Sequence, residues 1–187
     1  MKLIIYATHY THDQSVLLLL NLILLNLKGE QTSETKNQHS KIKFMLHRIK
    51  YFGLEEFLES STALENKIKN YPSWEHIEHI NELALFLDEL RDAWGSGLRV
   101  TSGLRRKWLN DKIAGASKTS VHQIGYAADI VPVNGKMDEF IDFVKEWAKD
   151  KMFDQIIVEN SSKSRWVHVG LYNNAGEQRR LLFKMII

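Results

Sequence analysis

Apolar residues recur every three or four positions through Trp74, Ile77, Ile80, Ala84, Leu87 and Trp94, the period of one helix face. Ser73, just after Tyr71-Pro72, is an N-cap candidate, and Gly95-Ser96-Gly97 supplies the stop, so a long core helix is predicted over this stretch. Ahead of it, FGLEEFLESSTALENKIK predicts a helix from about Leu54. Behind it, LRVTSG predicts a short strand, RRKWLNDKIAG a helix closed by Gly115, SKTSVHQIGY a polar loop and AADIVPV an apolar strand. Lys136 to Asp150 is amphipathic through Met137, Phe140, Ile141, Val144 and Trp147. Three strand-like runs then follow, DQIIVE, RWVHVGL and RRLLFKMI, parted by polar turns. Helices followed by a cluster of short strands predict an α+β fold, with helices packed on a small, mostly antiparallel sheet.

The start of the chain has a different texture. The run Val16 to Leu27 is interrupted by Asn21 and Asn26 and is well short of the roughly 20 residues of a membrane span. As a signal peptide it has only Lys2 for a basic start, Asp13 just ahead of the apolar run, and no A-x-A site in the KGEQTSETK that follows. Lys28 to Lys43 is polar and has the composition of a linker. Residues 1–49 are therefore expected to be an N-terminal extension, an added helix or a signal-like segment with its linker, and 50–187 the functional domain.

Composition narrows the chemistry. A chain of 187 residues, 44% hydrophobic, is long enough for one good core and short for two domains. Its 25 Lys and Arg against 23 acids give a net charge of +2, without the basic excess that nucleic-acid binding needs, so no nucleic-acid partner is expected. The absence of cysteine excludes disulfide scaffolds, cysteine nucleophiles and cysteine-bound zinc. A metal here has to be held by His, Asp or Glu.

Three residues are placed oddly for solvated side chains. Asp129 stands between Ala127, Ala128, Ile130 and Val131, and a buried carboxylate has to be paired or metal-bound because its desolvation is costly. His168 lies inside an apolar strand whose alternation puts Trp166, His168 and Gly170 on one face. His122 ends the polar loop. Two imidazoles and a carboxylate would leave a fourth position open, as in catalytic rather than structural zinc sites. On spacing alone, a single strand histidine such as His168 is more often a hydrogen-bonded core residue, and an HxxxxxxD pair arises easily by chance.

The strings around these residues are more specific. TSGLRRKWLN, SVHQIGYAADI and WVHVG resemble, in order and spacing, the zinc D-alanyl-D-alanine carboxypeptidase and L-alanyl-D-glutamate endopeptidase family, whose fold the hedgehog signalling domain shares. The likeness runs from about Gly53 to Leu171. The family's SxHxxGxAxD motif stands as Ser120, His122, Gly125, Ala127 and Asp129, and the histidine of its WVH motif is His168, which implies one zinc per chain on His122, Asp129 and His168. Its SGYR motif appears as Ser102, Gly103, Leu104 and Arg105, implying that Arg105 contacts substrate, although Leu replaces Tyr. A guanidinium suits a carboxylate or an oxyanion. Ser120 either donates to substrate or caps the loop, and Trp166 shares the His168 face as a further substrate contact.

In many members an acidic residue stands three positions before the strand histidine, where this chain has Arg165. Glu159, at the end of DQIIVE, could return across the ENSSKSRW hairpin to lie beside Trp166 and His168 as general base, with Asp154 in reserve. The resemblance thus implies a zinc peptidase acting on peptidoglycan stem or cross-link peptides. Such an enzyme, a monomer, would be exported or released during phage lysis as an endolysin. The alternative is a zinc-containing module that binds peptidoglycan or protein without hydrolysis, for which Arg165 is the support. His76 and His79 are expected on an exposed polar helix face. The S-x-x-K matches at Ser33 and Ser40 lie in the linker without a completing motif, and no H-E-x-x-H occurs.

Overall fold

The computed structural model describes residues 48–162 and 164–182. The apolar run Val16–Leu27, the polar linker and both S-x-x-K matches lie outside the described residues. No helix among those described is long and apolar enough to cross a membrane.

Five strands form one sheet: β1 (Leu98–Ser102), β2 (Ala127–Pro132), β3 (Gln155–Asn160), β4 (Arg165–Gly170) and β5 (Leu181–Leu182), in the order β1-β2-β4-β3-β5. All neighbours are antiparallel except β5, which pairs parallel to β3. Of the last predicted strand, RRLLFKMI, Leu181–Leu182 form β5, and the rest of the run from residue 183 lies outside the described residues.

The long helix α2 (Trp74–Trp94) has the predicted bounds. Ser73 accepts from His76 N at its start, and Gly95 ends it at φ 71°, a left-handed conformation that glycine adopts without a side-chain clash. Helix α4 (Met137–Trp147) packs on α2 through Trp94, whose ring lies 5.2 Å from Phe140 and 5.3 Å from Phe143, and through Phe86 against Trp147. Both helices contact β2, and α4 contacts β4 as well. The strand residues Ala128, Ile130, Ile156, Val167 and Val169, alternating with the polar ones, are all completely buried. Each large aliphatic side chain so buried contributes roughly 1.5–3 kcal/mol. One sheet face is thereby committed to the core, and the other is left to carry a cleft.

Two predicted helices are shorter than their patterns suggest. The segment from Leu54 forms a 3-10 turn, Leu54–Phe57, and then a separate short helix α1 (Ser61–Glu65), because the Ser60 side chain accepts from Ala63 N and caps a new start. The helix expected up to Gly115 is only α3 (Lys107–Asn110). The buried Asn110 donates its side-chain amide to Ser117 O at 2.8 Å, so the chain folds back into turns instead of continuing. Gly103 lies where the Leu54–Phe57 turn meets the end of β1: a Cβ there would come 2.4 Å from Phe57 O, and Leu104 N donates to that same carbonyl. Only glycine permits this approach.

Candidate metal centre

Register brings the first two predicted ligands together. Asp129 on β2 sits directly opposite His168 on the central strand β4, and Ser102 opposes Asp129 from the other side, past an irregularity in the β1–β2 ladder. Directly opposed residues share a sheet face, so both side chains project from the same side of the sheet.

His122 arrives from outside the sheet, on a 3-10 turn, Val121–Ile124, closed by Gly125 at φ 85°. The turn is tied to α2. His76 Nε2 lies 3.1 Å from Gln123 O, and His79 Nδ1 lies 2.7 Å from Ile124 O. His79 also stacks on Tyr126 with ring centroids 3.8 Å apart, and the Tyr126 hydroxyl donates to Glu82. The expectation that His76 and His79 are solvated is therefore corrected: both are half-buried and clamp the loop that carries His122. Burial holds the His76 imidazole pKa below its usual value, with Arg106 adding to the effect.

The three ligand candidates converge tightly. His122 Nε2 is 3.3 Å from Asp129 Oδ1 and 3.2 Å from His168 Nδ1, and His168 Nδ1 is 2.9 Å from Asp129 Oδ1. They are the one group of three or more potential ligands found among the described residues, and all three are buried. His122 Nδ1 donates to Gly103 O at 2.6 Å, which fixes its tautomer and leaves the Nε2 lone pair facing the cluster. Donors around a tetrahedral zinc at about 2.0–2.1 Å stand about 3.3 Å apart, close to what is seen. The residues fit such an ion in both chemistry and spacing.

The electrostatics agree. Burial pushes the His122 pKa down, favouring the neutral, ligating form. Burial alone would raise Asp129, but His122 and His168 outweigh it and hold the carboxyl far below the usual range.

Arg105 flanks the cluster. Its backbone N donates to His122 O, and its Nη1 lies 3.5 Å from Asp129 Oδ2. Its contacts to Ser102 Oγ and Ser120 Oγ are long, both 3.4 Å, and its buried Nε has no partner among the described residues. Burial lowers its pKa, and Asp129 and then Glu159 raise it in compensation. The guanidinium is thus largely desolvated, with donors in reserve. Ser120 stands beside it without capping the 3-10 turn.

Glu159 opposes Trp166 across the β3–β4 hairpin, and Trp166 Nε1 donates to Glu159 Oε2 at 2.9 Å. Both line, with His168, Arg105 and Ser120, a cleft of about 690 Å³. Arg165 does not. It pairs with Asp138 in the first turn of α4, since a residue three before His168 projects from the opposite sheet face. The reserve acid Asp154 is almost fully buried and held by Arg179 through two bonds of 2.5 and 2.9 Å.

Two participants escaped the sequence reading. Gln155 places its side-chain amide 3.3 Å from His168 Nε2, and Arg179 neutralises Asp154 at the rim of the cleft. Alternation along DQIIVE puts Gln155, Ile157 and Glu159 on one face and so held the signal for Gln155. Nothing local marked Arg179.

In comparison with known proteins, the family model described as Peptidase M15 matches residues 50–170. This span contains every residue of the cluster and the whole β3–β4 hairpin. No curated protein matches the chain.

Proposed function

The chain belongs to the peptidase M15 family of zinc-dependent, D-alanyl-D-alanine-carboxypeptidase-like enzymes, and from that premise we propose that it hydrolyses peptide bonds in peptidoglycan stems or cross-links. The observation that carries this reading is the convergence of His122, Asp129 and His168 beside a cleft that His168, Glu159 and Arg105 line.

His122, through Nε2, His168, through Nδ1, and Asp129 would hold the zinc. Bound there, zinc supplies Lewis acidity, which makes water a nucleophile near neutral pH and polarises an amide carbonyl. Glu159 takes the proton from the attacking water and later delivers it to the leaving amine. The indole N–H of Trp166 fixes the carboxylate's orientation, so the base is aimed before substrate arrives. Arg105 meets negative charge, either that developing on the carbonyl oxygen or a substrate carboxylate. Ser120 and Trp166 line the path of the peptide. A zinc-binding module without hydrolysis draws no support from Arg165, because that residue belongs to the face covered by α4.

Incubating the zinc-loaded protein with purified peptidoglycan and identifying the released fragments by mass spectrometry tests the reading. New amino or D-alanine termini are expected, and they should vanish when zinc is withheld. Intact peptides after prolonged incubation with the zinc-loaded protein would overturn it.

A further inference from the structure

His168 uses its two ring nitrogens in opposite directions. Nδ1 faces Asp129 and His122, whereas Nε2 faces the Gln155 amide at 3.3 Å. Gln155 can approach because its partner across the β3–β4 ladder is Gly170: a Cβ at Gly170 would come 3.2 Å from Gln155 Cγ and 3.6 Å from His168 Nε2. The space for this contact is therefore provided by the strand itself.

A neutral imidazole that offers its Nδ1 lone pair to a cation must carry its hydrogen on Nε2, and that hydrogen requires an acceptor. The Gln155 amide supplies one after a half-turn about its last bond, which exchanges Oε1 and Nε2 without moving the rest of the side chain. We infer that Gln155 is a positioning residue, its amide oxygen accepting the His168 Nε2–H and thereby fixing the tautomer and ring orientation in which Nδ1 faces the metal. His122 is fixed in the same way by Gly103 O, so both histidines have a partner on the nitrogen turned away from the cluster. Partners of this kind typically contribute 10–100-fold in metal affinity.

The inference rests on zinc occupying the cluster, as proposed above, and the test separates the two. Zinc affinity is measured by competition with a chromophoric chelator for the wild-type protein, Gln155→Leu and Gln155→Glu, with Gln155→Met as a second apolar variant should Gln155→Leu not fold. In parallel, the His168 Nε2–H resonance is followed by nitrogen-15 NMR in the zinc-loaded proteins. The apolar variant should bind zinc roughly 10–100-fold more weakly and lose the Nε2–H signal to solvent exchange. Gln155→Glu, which still offers an acceptor, should bind within about threefold of wild type or tighter and keep the signal. An apolar variant with wild-type affinity and a protected Nε2–H overturns the role of Gln155 alone, whereas a wild-type protein that takes up no zinc overturns the metal reading and this inference with it.

Discussion

Replacing Glu159 by glutamine exchanges one carboxylate oxygen for an amide nitrogen and leaves the outline of the side chain unchanged. The remaining amide oxygen can still accept from Trp166 Nε1, now 2.9 Å from Glu159 Oε2, so the rotamer and the β3–β4 pairing should persist. What is lost is the ability to take and return a proton. General acid–base catalysis contributes about 10²–10⁴-fold, or roughly 3–5 kcal/mol of barrier at about 1.4 kcal/mol per tenfold. Glu159 is not one of the clustered ligands, so zinc content and affinity should stay within about threefold of wild type. The assay follows new amino groups released from purified peptidoglycan alongside metal per chain. A fall of about 10²-fold or more in kcat with full zinc is expected. If Glu159→Gln kept most of the wild-type rate, the base would have to be sought elsewhere; if it lost its metal, Glu159 would be a ligand and the three-ligand site wrong.

Zinc should also hold the fold together: at a free concentration a thousandfold above Kd it adds about 4 kcal/mol, so chelation should lower Tm by on the order of 10 °C, and an unchanged Tm would count against the site. The folded His122 has a pKa below its ordinary 6.5, so the unfolded chain takes up that proton first. The metal-free protein should accordingly be fully stable with respect to this group above about pH 6.5 and lose stability as the pH falls below it, while Asp129, also lowered, adds a second loss below about pH 4; urea midpoints that stay flat from pH 7 to 5 would contradict this. His79→Ala removes the contact to Ile124 O and the stack on Tyr126, and should cost about 1–2 kcal/mol in urea unfolding while weakening zinc binding, since the clamped turn carries His122. Loss of stability with unchanged zinc affinity would show that α2 does not position the ligand.

The parts of this chain that were legible in sequence are those whose local pattern and global role coincide. Helix α2 has its apolar stripe, its Ser73 cap and its Gly95 stop in one continuous segment, and it forms as predicted. The His122, Asp129 and His168 set was legible for another reason: the SxHxxGxAxD and WVH strings resemble a zinc peptidase family and imply it, while placement alone made only Asp129, among apolar neighbours, demand a partner. Arg165 misled because position in a motif was weighed ahead of strand alternation, which alone puts it on the far face. The role of His76 and His79 was hidden because their acceptors, Gln123 O and Ile124 O, are backbone atoms some 45 residues on, and no side-chain code announces them. Arg179 pairs with Asp154 across 25 residues, and it leads into the edge strand β5, which pairs parallel to β3.

The central place of β4 divides the cleft into parts that tolerate change differently. The strand that carries His168 is paired on both flanks, to β2 and to β3, and Asp129 stands in the same ladder, so a slip of either ligand's strand by one residue would turn that ligand into the apolar core. The walls that rise from this floor, by contrast, are the turns after α3 and the segment around Asn173 and Asn174, which form no part of that ladder. Peptides of different length or branching could therefore be accommodated by rebuilding those walls, as a vice takes new jaws, while the bolt through its bed is left untouched.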